Sequence, residues 1–316
     1  MFYSIRHTTQ FLYSAPVSES LTEVRMQPRT EALQRCLGFE LGTNPRAQIS
    51  AYRDRLGNVI HHFDVPGQHT TLRITADSKV ECLPPTSLPD KLDDSAWNEL
   101  DDATREGDYW DYLAPSNFVV QSDSLSRLAR ELGAQRRAEP LTLMRELNSG
   151  IFSAFDYSPK STQVDSPIDH ALEERQGVCQ DFAHIMLALV RPLGIPSRYV
   201  SGYLFHGVDN NDRSDEGASH AWIEAWLPGL GWVGFDPTNN LIVTERHVKA
   251  AIGRDYADVP PTRGVFKGGA TSELSVAVQV ALNDTPPPHV DLLPGVTWAS
   301  PQLDDDEELQ QQQQQQ

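Results

Sequence analysis

Cysteine is nearly absent: three residues in 316, at positions 36, 82 and 179, with no close pair among them. So few and scattered a set excludes a disulfide framework. It fits a reducing compartment, where thiols stay free and one in a special setting is catalytic or redox-active. Basic residues are in deficit too. Against 26 Lys and Arg stand 44 Asp and Glu, a formal charge of −18, which argues against a phosphate-binding face and a nucleic-acid partner. No run approaches the roughly 18 apolar residues that cross a bilayer. The opening MFYSIRHTTQFLYSAPV alternates aromatic and polar residues instead of placing a basic segment before an apolar one. These lacks point to a cytoplasmic protein with no membrane partner. Glycine-rich phosphate loops, dinucleotide fingerprints and EF-hand patterns are missing. So are the CxxC and HxxxH spacings from which zinc sites are built. No cofactor and no metal is expected, and oligomeric state is not legible.

What is present is an ordinary globular composition, 39% hydrophobic and 8% aromatic, over a length sufficient for two domains. Residues 1–85 read as a β-rich, sandwich-like domain. FYSIRHTTQFLYS, LTEVRMQPR, AQISAYRDRLGNVIHHFDV and TTLRITADSKVECL alternate apolar and polar positions. Within them RLGNVI is a turn candidate, because Gly57 and Asn58 tolerate positive φ. Cys36 and Cys82 fall here and read as buried apolar fillers. Residues 86–118, rich in Pro, Ser and Asp, read as a connecting segment with a short helix near Ala96–Leu100. A core over 119–283 follows. SDSLSRLARELGA carries leucines 125, 128 and 132 at helical spacing. LTLMRELNSGIFSAF predicts a second helix ending near Asn148–Gly150, and a third begins at Cys179 and stops at Gly194. Then come the strands SRYVSGYLF, SHAWIEAWL, GWVGFDP and ELSVAVQVAL. Helices followed by an antiparallel sheet make an α+β fold. Residues 284–316, acidic and ending in seven glutamines, hold too little apolar material to pack and are expected to be disordered.

One cysteine stands apart. In GVCQDFAH the apolar run after Cys179 (Phe182, Ala183, Ile185, Met186, Leu189, Val190) fits the buried face of a helix, with Gly177 supplying a tight turn before it. Cys179 then occupies the first turn, where unpaired N–H groups and the helix dipole favour a thiolate. A buried structural cysteine would fit the position as well. A thiol nucleophile needs a base. In GASHAWIEAWLPGLGWVGFDPTNN, strand alternation puts His220, Trp222, Glu224 and Trp226 on one face, bordering a cleft, and Ala221, Ile223, Ala225 and Leu227 on a core face. A hairpin centred on Gly229 sets Asp236 opposite Trp222 and diagonal to His220. A turn centred half a residue later puts it on the wrong face. Cysteine, histidine and aspartate in this order give the nucleophile, base and orienter of a thiol acyl-transfer site. Trp222 and Trp232 are candidates to line the cleft and bind substrate, with core packing as the competing role. Arg254, Asp255, Tyr256 and Asp258, in GRDYADVPP, form either a wall of that site or a turn held by an Arg–Asp pair.

These same segments, GVCQDFAH, GIPSRYVSGYL, SHAWIEAWLPGLGWVGFDPTNN and HVKAAIGRDYADVPPTRGVFKG, closely resemble the bacterial transglutaminase-like superfamily, in the branch described as candidate cysteine proteases. IRHTTQFLYSAPVSES, RMQPR and DRLGNVIHHFDV resemble that family's N-terminal β-rich domain. The resemblance spans about residues 1–283. It implies a papain-like α+β core with Cys179 as nucleophile, His220 as base and Asp236 as orienting acid. Ser197 in IPSRYV stands where the family commonly has alanine. The reaction is left open, since members include cross-linking enzymes, proteases, deamidases, amidases and inactive relatives. The expected activity is hydrolysis of peptide or glutamine carboxamide bonds in a protein or peptide substrate. The alternatives are protein-glutamine transamidation and a non-catalytic scaffold.

Overall fold

The computed structural model describes residues 1–107, 109–159, 166–207 and 212–282, with a two-residue strand at Thr297–Trp298. The tail expected to be disordered therefore lies outside the described residues, apart from that strand, which pairs with Ser272–Glu273.

The N-terminal region is built on two long antiparallel strands. Strands β1 (Phe2–Val24), β2 (Gln34–Asn44), β3 (Ser50–Arg53) and β4 (Val59–Cys82) form a sheet in which β4 pairs with β1 on one side and with β2 and β3 on the other. Register shifts between Leu12 and Glu19 divide β1 into two arms. Pro16, which has no N–H for the ladder, lies between them. Leu72 and Ile74, opposite the first arm, meet Val24 of the second arm and Phe63 and Val65 opposite it in one apolar cluster. The sandwich-like character thus arises from one sheet bent over itself.

The second half is α+β, as expected. Helices α1 (Ala96–Glu106), α2 (Asp123–Glu131) and α3 (Pro140–Ala154) are followed by the short strand β5 (Asp156–Tyr157), helix α4 (Ile168–Glu174), strand β6 (Gln176–Gly177) and helix α5 (Cys179–Val190). Strands β7 (Ser197–Leu204), β8 (His220–Leu227), β9 (Gly231–Asp236), β10 (Leu241–Ile242) and β11 (His247–Gly253) form an antiparallel sheet in the order β10-β9-β8-β7-β11. Helix α5 is buried over nearly its whole surface. Its Phe182, Ala183 and Met186 share a core with Ala221, Ile223, Ala225 and Leu227, the face of β8 assigned to the core by alternation. No described helix is long and apolar enough to cross a membrane.

The connecting segment carries a helix where one was expected near Ala96–Leu100: Leu100 of α1 is fully buried in the main core, and Trp97 donates from Nε1 to Ala138 O (2.8 Å). Three expectations need correction. Helix α3 runs past Asn148–Gly150 to Ala154, because Gly150 provides the space that Leu132 of the neighbouring segment fills. Cys82 is buried, but Cys36 is half-exposed, its thiol turned to Gly38 O (3.5 Å). Finally, ELSVAVQVAL does not extend the core sheet. Strands β12 (Thr262–Lys267) and β13 (Ser272–Ala281) return to pair with the second and first arms of β1. An alternating strand suits any antiparallel edge, and β1 offered one that would otherwise be unpaired.

The two sheets are joined by side chains of both. Tyr3, Ile5, Val80 and Val278 pack on Tyr203, Val248 and Ala250 of β7 and β11. Gly57 does take positive φ (+77°), whereas the neighbouring Asn58 has another task. It is completely buried, accepts from Ile252 N (2.9 Å) and donates to Ile252 O (2.8 Å), satisfying a stretch of β11 as a strand partner would.

Candidate active site

The site begins at the N-terminus of α5. Gly177 has no positive φ, so it is not a turn glycine in the sense expected. A Cβ there would lie 2.9 Å from the Asp181 carboxylate. The missing side chain lets Asp181, the third residue of the helix, accept from Val178 N (2.8 Å) and close the first turn. Cys179 is then the first helical residue, and its N–H lies outside the helical ladder.

Asp236 is brought to His220 by register. Trp226 faces Trp232 and Ile223 faces Phe235, so the β8–β9 hairpin is centred on Gly229 and Asp236 falls level with Trp222. His220 donates from Nε2 to Asp236 Oδ2 at 2.8 Å, both side chains being sealed from solvent. The imidazole Nδ1 has no hydrogen-bond partner among the described residues. Burial opposes a charge on this ring. The Asp236 carboxylate outweighs that and, together with the side chain of Cys179, holds the His220 pKa well above its ordinary value. Cys179 is thus among the groups that act on this ring.

Asp236 itself should be costly to ionise at zero exposure, but it is saturated with donors. Oδ1 accepts from Thr238 N (3.0 Å) and Asn239 N (3.2 Å), and Oδ2 from Asn239 Nδ2 (2.8 Å) and His247 Nε2 (3.3 Å) besides His220. Burial is overcome by the two histidines, and its pKa lies far below the carboxylate range. Sequence reasoning missed His247 and Asn239. His247 starts β11, which is separated from β9 by β8 and β7. It reaches Asp236 across those two strands, which requires the sheet to curl. The one available signal was that His247 opens the quoted segment HVKAAIGRDY.

His220, Asp236 and His247 form a group of the kind that can hold a transition metal. The donor chemistry here favours hydrogen bonds. Thr244 N donates to His247 Nδ1 (3.3 Å), which leaves the ring proton on Nε2, pointing at Asp236 with no lone pair to offer.

Three phenols stand near enough to Cys179 for a charge on its sulfur to raise their pKa values. Burial is the larger cause for each, pushing Tyr256 up to about 12, Tyr157 further up, and Tyr199 well above its ordinary value. They stay neutral O–H groups. Tyr256 thus borders the site, while Arg254 pairs with Asp258 through two contacts of 2.9 and 3.0 Å, so GRDYADVPP has both of the roles considered for it. His184 is stacked on Phe118 at 5.1 Å and accepts from Tyr256 N (3.2 Å).

The two tryptophans lie in different surroundings, Trp222 sealed from solvent and Trp232 half-buried. Trp222 is fully buried among Val200 and Ile252, with Leu56 of the N-terminal region beside it. Its indole fills the space where Gly202 lacks a Cβ. The face read as bordering a cleft is covered by that region instead. Trp232 lies under the Arg198 guanidinium (4.1 Å) and against Tyr112 (5.2 Å). It sits four residues before Asp236, about 13 Å along the strand.

Two stretches match known families: residues 126–237 match the core of the transglutaminase-like superfamily, and residues 3–81 the bacterial transglutaminase-like N-terminal region. An uncharacterised protein of Mycobacterium leprae is 34% identical over 87% of this chain and 96% of its own length. A protein-glutamine gamma-glutamyltransferase of Pseudomonas aeruginosa is 31% identical over 58% of this chain, which corresponds to 28% of that protein. A crystal structure of a candidate cysteine protease from Cytophaga hutchinsonii shares the fold, with a TM-score of 0.67 and 24% identity over 92% of this chain and 94% of that one. The curled sheet, the helix carrying Cys179 and these matches converge: the chain belongs to the transglutaminase-like superfamily, with the bacterial N-terminal region of that family preceding the core.

Proposed function

We propose that the protein is a cysteine-dependent amidase acting on protein or peptide substrates through a thioester. One observation carries this reading: His220 gives its Nε2–H to a buried, ionised Asp236 while the Cys179 side chain acts on the same ring. In the proposed reaction Nδ1 takes the thiol proton, and the resulting imidazolium is the counter-charge for the thiolate. Sulfur attacks the amide carbonyl. The oxyanion is met by the Cys179 N–H, a donor of a kind worth about 10²–10³ in turnover. His220 then protonates the departing amine, leaving an acyl-cysteine, and water, deprotonated by the same ring, releases the acid. With a peptide bond the outcome is cleavage, and with a glutamine carboxamide it is deamidation. A primary amine in place of water gives transamidation. That second reading is favoured by the glutamyltransferase relative.

The test is to incubate wild type and Cys179→Ala with a peptide library, with and without an added amine, and identify products by mass spectrometry. Cleaved or deamidated peptides are expected from wild type and none from the variant. Amine adducts would select transamidation, and full activity of the variant would refute the proposal. Iodoacetamide near neutral pH gives a substrate-free check. Burial raises the thiol pKa of Cys36, and that of Cys82 to about 11, so Cys179 is expected to be alkylated first. Failure of that selectivity would favour a scaffold.

A further inference from the structure

We propose that His247 is a positioning residue for the His220–Asp236 pair: as a neutral Nε2–H donor it shares Oδ2 with His220 and Asn239, fixing the carboxylate and moderating its pull on the His220 proton. This inference rests on the amidase reading and adds to it a residue outside the triad.

Three observations support it. First, geometry: His247 Nε2 is 3.3 Å from Oδ2, the oxygen His220 uses, and both rings are sealed from solvent. Second, the tautomer is imposed. The Thr244 N–H occupies Nδ1, so the ring cannot present a lone pair to Asp236 without losing that bond. Third, the ring stays uncharged. Burial lowers its pKa more than Asp236 restores it, with His220 and Arg246 also disfavouring a second cation. Arg246 is itself engaged with Asp212 (2.7 Å). The remaining titratable groups facing the pair are Cys179 on α5 and His206, whose Nε2 shares a hydrogen bond with Ser214 Oγ (3.1 Å).

The chemical need is specific. The base must take a proton from sulfur and later surrender it to the leaving amine, which works best when its pKa is near the working pH. A buried carboxylate facing a single imidazole would hold that proton too tightly. Each neutral donor on Oδ2 spreads the negative charge and eases its release, and the donors also keep the carboxylate from rotating away.

The experiment is NMR of the full chain labelled with ¹⁵N-histidine, comparing wild type, His247→Leu and His247→Gln across a pH series. Wild type is expected to show His247 neutral with its proton on Nε2. In His247→Leu the His220 titration midpoint should rise by about half a pH unit. His247→Gln, whose amide can donate to the same oxygen, should bring it back toward wild type. A wild-type proton on Nδ1, or an unchanged or lowered midpoint in the leucine variant, would overturn the inference while leaving the amidase reading intact. Full amidase activity of Cys179→Ala would instead defeat the amidase reading itself. If leucine at this buried position prevents folding, the wild-type tautomer decides the matter.

Discussion

At the scale of single residues, the polar side chains that matter most are those with no access to water. Asp236 and Asn58 are both completely buried, Asp236 satisfied by groups within 16 residues and Asn58 by groups up to 194 residues away. Asn58 binds both Ile252 N and O, accepts from Arg29 Nη1 (2.7 Å) and donates to Asp54 Oδ2 (2.8 Å). Truncation would strand all four partners. Asn58→Ala is therefore expected to lower the unfolding free energy by about 3 kcal/mol, measurable by urea denaturation. A loss within experimental error would mean that water replaces the amide. Asn58 was legible only as a turn former, because its partner on β11 lies almost 200 residues away. His220 and Asp236 were more accessible to sequence reasoning, since a tight hairpin couples them over 16 residues and strand alternation leaves only two hairpin registers for the pair.

At the scale of elements, the turn into α5 illustrates a constraint that works through space rather than torsion. Gly177 is needed because Asp181 folds back against it, and the result fixes the helical start that carries Cys179. In Gly177→Ala the methyl group would displace the carboxylate, so Cys179 should be alkylated several-fold more slowly. Gly38 has nothing within 4 Å of its missing Cβ, and Gly38→Ala should leave the rate unchanged. Equal rates in both variants would show that the capping turn does not set the sulfur's position. Helices α2 and α5 were readable from their leucine spacing and apolar run. The end of α3 was not, since Gly150 marks a close approach of Leu132 and not a stop. The four-residue separation of Trp232 from Asp236 places it on the turn side of the hairpin, but alternation alone left it on the same face as the site.

At the scale of the whole molecule, a largely buried ionic chain couples the core sheet to the N-terminal region. Arg198 pairs with Glu224 (2.6 Å), Glu224 with Lys249 (2.5 Å), Lys249 with Glu31 (2.6 Å) and Glu31 with Arg29 (2.6 Å). Burial alone would raise the Glu31 pKa, but Lys249 and Arg29 bring it down from 4.5 to about 2. A depressed carboxylate stabilises the fold above its unfolded pKa, and that contribution is lost as the pH falls from 4.5 toward 2. Wild type should therefore lose stability across this window faster than Glu31→Gln. Guanidinium midpoints measured at several pH values check this, and parallel curves would remove Glu31 from the linkage.

The sequence by itself determined the α+β class, the β-rich N-terminal region and the helical setting of Cys179, and narrowed the face of Asp236 to one of two hairpin registers. All of these follow from local periodicity, turn chemistry and short-range register, which act within a few dozen residues. Only the tertiary structure decided that β12 and β13 close the N-terminal sheet, that Trp222 lies beneath Leu56, and that His247 meets Asp236 across a curled sheet. Strand partners and the far side of a carboxylate are chosen by which distant edges and faces remain uncovered once the chain has folded, and no local pattern encodes that choice.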